Sequence, residues 1–288
     1  GIKALIGFSI QAEGLTEESA AVDVGMEPEE EVQVRKEQME VASIAVRRRD
    51  TFRIQEDITL PANKPNVDRL LWKEMRLRGV NTRPLDGKLL ISGDLMIFLL
   101  YVGEGENIPV QWMEESIPFS GEMELPESAE EMVPMVNVRL AHKELEAKPD
   151  YDGEMREFGA DAVLDLDIRL YQEEDMTLLG DLYSTREELE PVVKTACFQQ
   201  ILAKNACKCK LSEKFGLNDS RQILQICRSD GTVKLDEVSV VEDGLLLEGI
   251  LELSLLYLTS DDVSPIQSEQ FAIPYQCSAT APGVTEES

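Results

Sequence analysis

Cys207 and Cys209 form a Cys-x-Cys, the one local spacing in this chain that suggests a metal site. Zinc takes four ligands, commonly from Cys-x-x-Cys pairs completed by further cysteine or histidine. His142 is the only histidine, and two cysteines two apart simply share one face of a strand. Any Ser-His-Asp or Cys-His arrangement would also need His142, which sits in the alternating segment LAHKELEAK and reads as a surface side chain. With 56 Asp and Glu, an acid–base pair can be drawn anywhere, and no spacing marks two of them as converging in a cleft. Gly103-Glu104-Gly105 follows a strand without opening a helix, and Gly87-Lys88 is followed by Leu89 rather than Ser or Thr. Neither is a phosphate-binding loop. Trp72 and Trp112 could stack on sugar rings, although such sites gather several exposed rings and aromatics more often bury. The expectation is a chain with no catalytic residue, no cofactor and no metal.

Charge narrows the partners. Against 56 acidic residues stand 28 basic ones, a formal net charge of −28. Binding to nucleic acid needs clustered Lys and Arg to release counterions, and anionic membranes select the same residues. Neither partner is expected. Glu27 and Glu29 to Glu31 read as an acidic loop or linker, and Arg47, Arg48 and Arg49 as the main basic island, on an exposed strand. The apolar run Leu95 to Val102 is far shorter than the roughly 20 residues of a spanning helix, so no membrane insertion is expected. No charged start, apolar core and cleavage site mark a signal peptide. Cys197, Cys207, Cys209, Cys227 and Cys277 are odd in number and confined to the C-terminal third. This pattern points to reduced thiols and a cytosolic setting.

The elements that would position these residues emerge when the chain is compared with itself. GDLMIFLLY from Gly93 returns as GILELSLLY from Gly249, and Ile117-Pro118 returns as Ile273-Pro274, each pair 156 positions apart. Asp86-Gly87 matches Asp243-Gly244 with one residue of slippage, and Ile6, Phe8 and Ile10 match Leu164, Leu166 and Ile168 at an offset of 158. One offset shared by independent segments points to a tandem duplication. Leu95, Ile97, Leu99 and Tyr101 correspond to Leu251, Leu253, Leu255 and Tyr257, whereas Asp94, Met96 and Phe98 become Ile250, Glu252 and Ser254. Period two with one tolerant face defines a half-buried strand. The preceding Asp-Gly makes each phrase the second arm of a hairpin. Met96 and Phe98 lie on the variable face, either packed under a neighbouring element or, with Trp72 and Trp112, forming a partner-contact face.

Val22 to Val24, Thr51 to Leu60, Met75 to Val80, Val136 to Leu140, Ala162 to Tyr171 and Val233 to Val241 also read as strands. Leu189 to Ala206 is taken as strand from its counterpart VQVRKEQMEVASIAV. Lys64-Pro65-Asn66 followed by Val67, Leu70 and Leu71 predicts a short helix. The fold expected is all-β, mainly antiparallel and sandwich-like, in tandem repeats with a few short helices.

TLPANKPNVDRLLW (Thr59 to Trp72), DGKLLISGDLMIFLLY (Asp86 to Tyr101), SIPFSGEMEL (Ser116 to Leu125), LQICRSDGTVKLDEVSVVEDGLLLEG (Leu224 to Gly249) and LLYLTSDDVSPI (Leu255 to Ile266) together resemble the SPOCS domain family. These domains occur as repeats in SipL-like spore coat morphogenetic proteins of clostridia, usually followed by a C-terminal LysM module. The resemblance places repeat edges near Glu29 and Leu189. Residues 1–28 are then the tail of one repeat, 29–188 a complete repeat and 189–288 the front of the next. The alternative phasing is 1–130 and 131–288. No LysM segment is visible, which suggests a fragment of something longer. The resemblance implies a non-enzymatic scaffold of the spore envelope, acting in the mother-cell cytoplasm at the forespore surface. Its implied partners are spore coat proteins, including the basement-layer morphogenetic ATPase through the LysM module, with self-association a further option. Carbohydrate or wall-precursor binding is the alternative reading.

Overall fold

The computed structural model describes residues 20–23, 32–106, 110–186, 222–242, 244–261 and 263–285; of residues 187–221 it describes 188–190, 192–195, 197, 198, 200–202, 209–214, 216 and 217. Every regular element among them is a strand. These are β1 (Val32–Thr59), β2 (Val67–Leu85), β3 (Lys88–Gly103), β4 (Gln111–Glu124), β5 (Val133–Pro149), β6 (Met155–Ser184), β7 (Ile223–Val241), β8 (Gly244–Thr259) and β9 (Ile266–Thr280). They form three three-stranded sheets, in the orders β1-β6-β5, β2-β3-β4 and β7-β8-β9. The last two are copies of one meander. Leu95 pairs with Ile117 in the first and Leu251 with Ile273 in the second, so the 156-residue offset holds in register as well as in letters.

The chain divides into two compact units, Gly1–Val41 with Glu173–Gln200 and Ala42–Gln172 with Ile201–Ser288. In the first, the start of β1 and the end of β6 carry mostly exposed side chains. There the Ala21 carbonyl accepts from Leu179 N–H at 2.9 Å, and Lys36 pairs with Asp23 at 2.7 Å.

The second unit holds the main core. Leu95, Ile97, Leu99 and Tyr101 of β3 are fully buried. They share a core with Ala162, Leu164, Leu166 and Ile168 of β6 and with Ile54 and Ile58 of β1. This arrangement is a sandwich of the β2-β3-β4 sheet on the β1-β6-β5 sheet, built from period-two alternation on both inner faces. Arg156 ties its corner, donating to the Lys64 and Pro61 carbonyls and, at 2.7 Å, to Asn66 Oδ1.

The helix expected after Lys64-Pro65 is absent. The chain turns at Ala62–Asn63 and enters β2 at Val67. The spacing of Val67, Leu70 and Leu71 reflects register shifts between Val67 and Arg69 and between Leu70 and Trp72. An extra residue in a strand breaks strict alternation and leaves a spacing that imitates a helix. Hairpin turns also differ between the copies. Gly87 sits in its turn at φ 73°, whereas Gly244 is the first paired residue of β8, opposite Val241. A Cβ there would lie 2.1 Å from the Ala279 carbonyl, so close approach rather than φ demands glycine in the second copy.

Arg47 to Arg49 are exposed on β1. The described residues of the Leu189–Ala206 segment, and Ala20–Asp23, carry no regular structure. Ile6, Phe8, Ile10, Val24, Glu27, Glu29 to Glu31, Cys207 and Asp243 lie outside the described residues.

Candidate functional site

Even-numbered positions of β3 point away from the sandwich core, and here the side chains of interest collect. Met96 and Phe98 are 6% and 4% exposed. Phe98 and Leu100 pack with Cys227 of β7, flanked by Val110, Trp112, Leu256, Leu258 and Ile266. The variable face of the first meander is thus buried against the same face of the second. Equivalent stations of the two meanders, Leu100 and Leu256 and likewise Val110 and Ile266, belong to this one cluster.

Five aromatic or cationic groups are layered along this seam. Trp72 meets Phe98 edge-on at 5.6 Å, and Phe98 stacks on Trp112 at 6.5 Å. The Arg228 guanidinium lies 5.1 Å from the Trp72 ring and 5.4 Å from Phe98, a cation–π arrangement in a partly desolvated place. Lys64 stands 5.6 Å from Trp112 on the same layer. Trp72 remains 41% exposed at the edge, while Trp112 is half-buried with no acceptor for its Nε1.

Arg228 is 6% exposed and ionically clamped. It donates bidentately to Glu74, with one contact of 2.9 Å, and to Asp230 at 2.9 Å. Asp230 also receives Arg76, whose other nitrogen lies 3.5 Å from Glu114. The hydrogen bond from Arg228 holds the Glu74 carboxyl below its ordinary pKa, against the opposing effect of burial. Burial pushes the Cys227 thiol up to about 11, so it stays protonated and inert at neutral pH.

The structure brings all four sequence-nominated residues, Met96, Phe98, Trp72 and Trp112, to this one seam. Sequence reasoning missed the charged half: Arg228, Glu74, Asp230 and Arg76. A signal existed in the repeat. Trp72 and Arg228 stand opposite Leu100 and Leu256, and Glu74 and Asp230 opposite Phe98 and Ser254. An acid recurs at one station while its neighbour switches from tryptophan to arginine. Duplicated units that pack on each other leave such a mark, because one copy can supply the cation for the other's acid.

Elsewhere, His142 is exposed at a bulge of β5, 3.9 Å from Glu144. A shallow acidic depression is lined by Glu56, Asp57, Glu144, Glu146 and Asp161. Asp161 is held ionised by hydrogen bonds from Arg53 and Gln55. Committed to Arg53, Asp161 is a poor proton donor. Among the described residues no group of three or more His, Cys, Asp or Glu is placed to hold a metal ion.

Fold and seam together define a tandem β-repeat protein whose two meanders pack on each other through an aromatic and ionic layer. Residues 66–148 and 222–288, slightly over half of the chain and starting 156 positions apart, match the family described as SipL, SPOCS domain. The chain belongs to that family. No curated protein and no solved structure matches it.

Proposed function

We propose that the chain is a non-catalytic scaffold of spore envelope assembly, working through protein–protein contacts of its β repeats. The observation that carries this reading is the duplication itself: one family match falls on each of two superposable meanders. A duplicated β unit whose ionic groups are engaged in internal clamps suits an interaction module better than an enzyme. The family name supports a role in sporulation, and with it the mother-cell cytoplasm at the forespore surface. The partners are spore coat proteins. Contact with the basement-layer ATPase belongs to the LysM module that accompanies such repeats.

The carbohydrate reading finds less support. Sugar stacking needs free ring faces, yet Trp72 is approached by Arg228 and Trp112 by Phe98 and Lys64.

A pull-down from sporulating clostridial cells, with residues 1–288 as bait and mass-spectrometric identification, tests the proposal. Enrichment of coat proteins is the expected result. Bait that retains no coat component, together with normal spores after deletion of the parent gene, overturns it.

A further inference from the structure

Register matches each station of one meander to a station of the other. Ile91 of β3 pairs with Gly121 of β4, and 156 positions later Leu247 of β8 pairs with Cys277 of β9. In the first copy this station is filled from β1. A Cβ on Gly121 would lie 2.2 Å from the Phe52 ring, so the large side chain takes the space that the glycine leaves. The ring also leans on Phe119, with centroids 5.9 Å apart.

The second copy writes the same station differently. Ile54, Glu56 and Leu60 of β1 and its end return as Leu211, Glu213 and Leu217, an offset of 157 that carries Phe52 to Cys209. Space agrees with sequence. The Cys209 thiol lies 3.8 Å from the Gln276 carbonyl, which belongs to the peptide bond entering Cys277. Where one copy sets phenylalanine against glycine, the other sets cysteine against cysteine. Both stand as thiols, Cys209 exposed and Cys277 half-buried. The Cys277 sulfur lies 3.9 Å from the Ser278 carbonyl, so each thiol makes only a long, weak contact of this kind. A disulfide needs Cα atoms within about 7 Å, a condition met by residues that share a station.

We propose that Cys209 and Cys277 are a redox pair, oxidised by a peroxide to a disulfide that fixes the Cys209 segment onto the edge strand β9. Cys209, the more accessible partner, attacks the peroxide as its thiolate. The O–O bond breaks, one oxygen remains on sulfur as a sulfenic acid, and the other leaves as water. The Cys277 sulfur then attacks the Cys209 sulfur, the S–O bond breaks, and hydroxide departs with the remaining proton as a second water. Two thiols and one hydrogen peroxide thus give one disulfide and two waters, with two electrons passing from sulfur to oxygen. The closed loop contains β7, β8 and most of β9, the half of the seam that supplies Arg228. Its closure restricts the unfolded chain, so oxidation hardens the second meander. This goes beyond the scaffold reading and does not depend on it, because the bond lies within one chain.

Oxidation of the purified 288-residue chain with one equivalent of hydrogen peroxide, followed by alkylation and peptide mass mapping, supplies the test. The expected product is a Cys209–Cys277 link within one chain, reversed by dithiothreitol, retained in Cys207→Ser and lost in Cys209→Ser. Oxidation should raise the urea midpoint of the wild type and leave that of Cys209→Ser unmoved. Cys209→Phe alone should lower the midpoint of the reduced protein, and adding Cys277→Gly should restore it, since the pair then matches the first copy. A link from Cys277 to Cys207, a link only between chains, or no link at all overturns the proposal. So does a double variant no more stable than Cys209→Phe alone, because the two cysteines then share no station.

Discussion

Arg228 holds a guanidinium where only 6% of the residue meets solvent, and its positive charge is balanced by Glu74 and Asp230. Breaking a buried pair from one side leaves the other charge without its partner. Arg228→Ala should therefore cost about 3 kcal/mol, the low end for such pairs, because Glu74 keeps some contact with water. Urea unfolding measures it, and a loss as small as that of an exposed ion pair would show that the clamp is not structural. The same clamp sets a pH dependence. The folded-state pKa of Glu74 lies below its ordinary 4.5, chiefly through the Arg228 hydrogen bond. Its contribution is therefore full above 4.5 and disappears as pH falls through the depressed value. Glu74→Gln should be less stable than wild type at neutral pH and converge with it in acid, read as urea midpoints against pH. Asp161, lowered in the same way by Arg53, titrates in both proteins and cancels from the comparison. Of this site, the aromatic half was legible because Met96 and Phe98 break the polarity expected of an outer face. The ionic half was not, since each charged residue looks like any other among 56 acids until the two meanders are superposed.

Strands were read best where alternation is strict. β3 and β8 announce themselves through Leu95 to Tyr101 and Leu251 to Tyr257, and their register pairs confirm the inner row. β2 was misread at its start because two register shifts give its apolar residues a helical spacing. Periodicity reports side-chain direction only when no residue is inserted. Pairing between sheets left a fainter trace than pairing within them, because a face-to-face seam requires only apolar bulk and matching charge. Chemistry at the seam gives a direct assay of whether β7 stays on β3. Cys227 is buried, with its thiol pushed up to about 11, whereas Cys197 and Cys209 are exposed. A thiol-specific reagent at mildly alkaline pH should modify the two exposed cysteines first and Cys227 only as the seam opens. Peptide mass mapping over time resolves them. Arg228→Ala should accelerate labelling of Cys227 and leave Cys209 unchanged. Equal initial rates in the wild type would contradict the seam.

At the scale of the whole molecule, the duplication was the most legible feature, since one offset recurs in segments that share no local constraint. Less visible was what the duplication does: the copies pack on each other through their outer faces. The other global property is charge. A net −28 opposes both compaction and association. Sodium chloride shortens the range of that repulsion, from about 8 Å at physiological ionic strength to about 3 Å at 1 M. The thermal midpoint should therefore rise with added salt, because long-range repulsion is screened while the partly buried Arg228 clamp is screened much less. A midpoint that falls with salt would mean that surface ion pairs, such as Lys36 with Asp23 or Lys234 with Glu252, outweigh the repulsion.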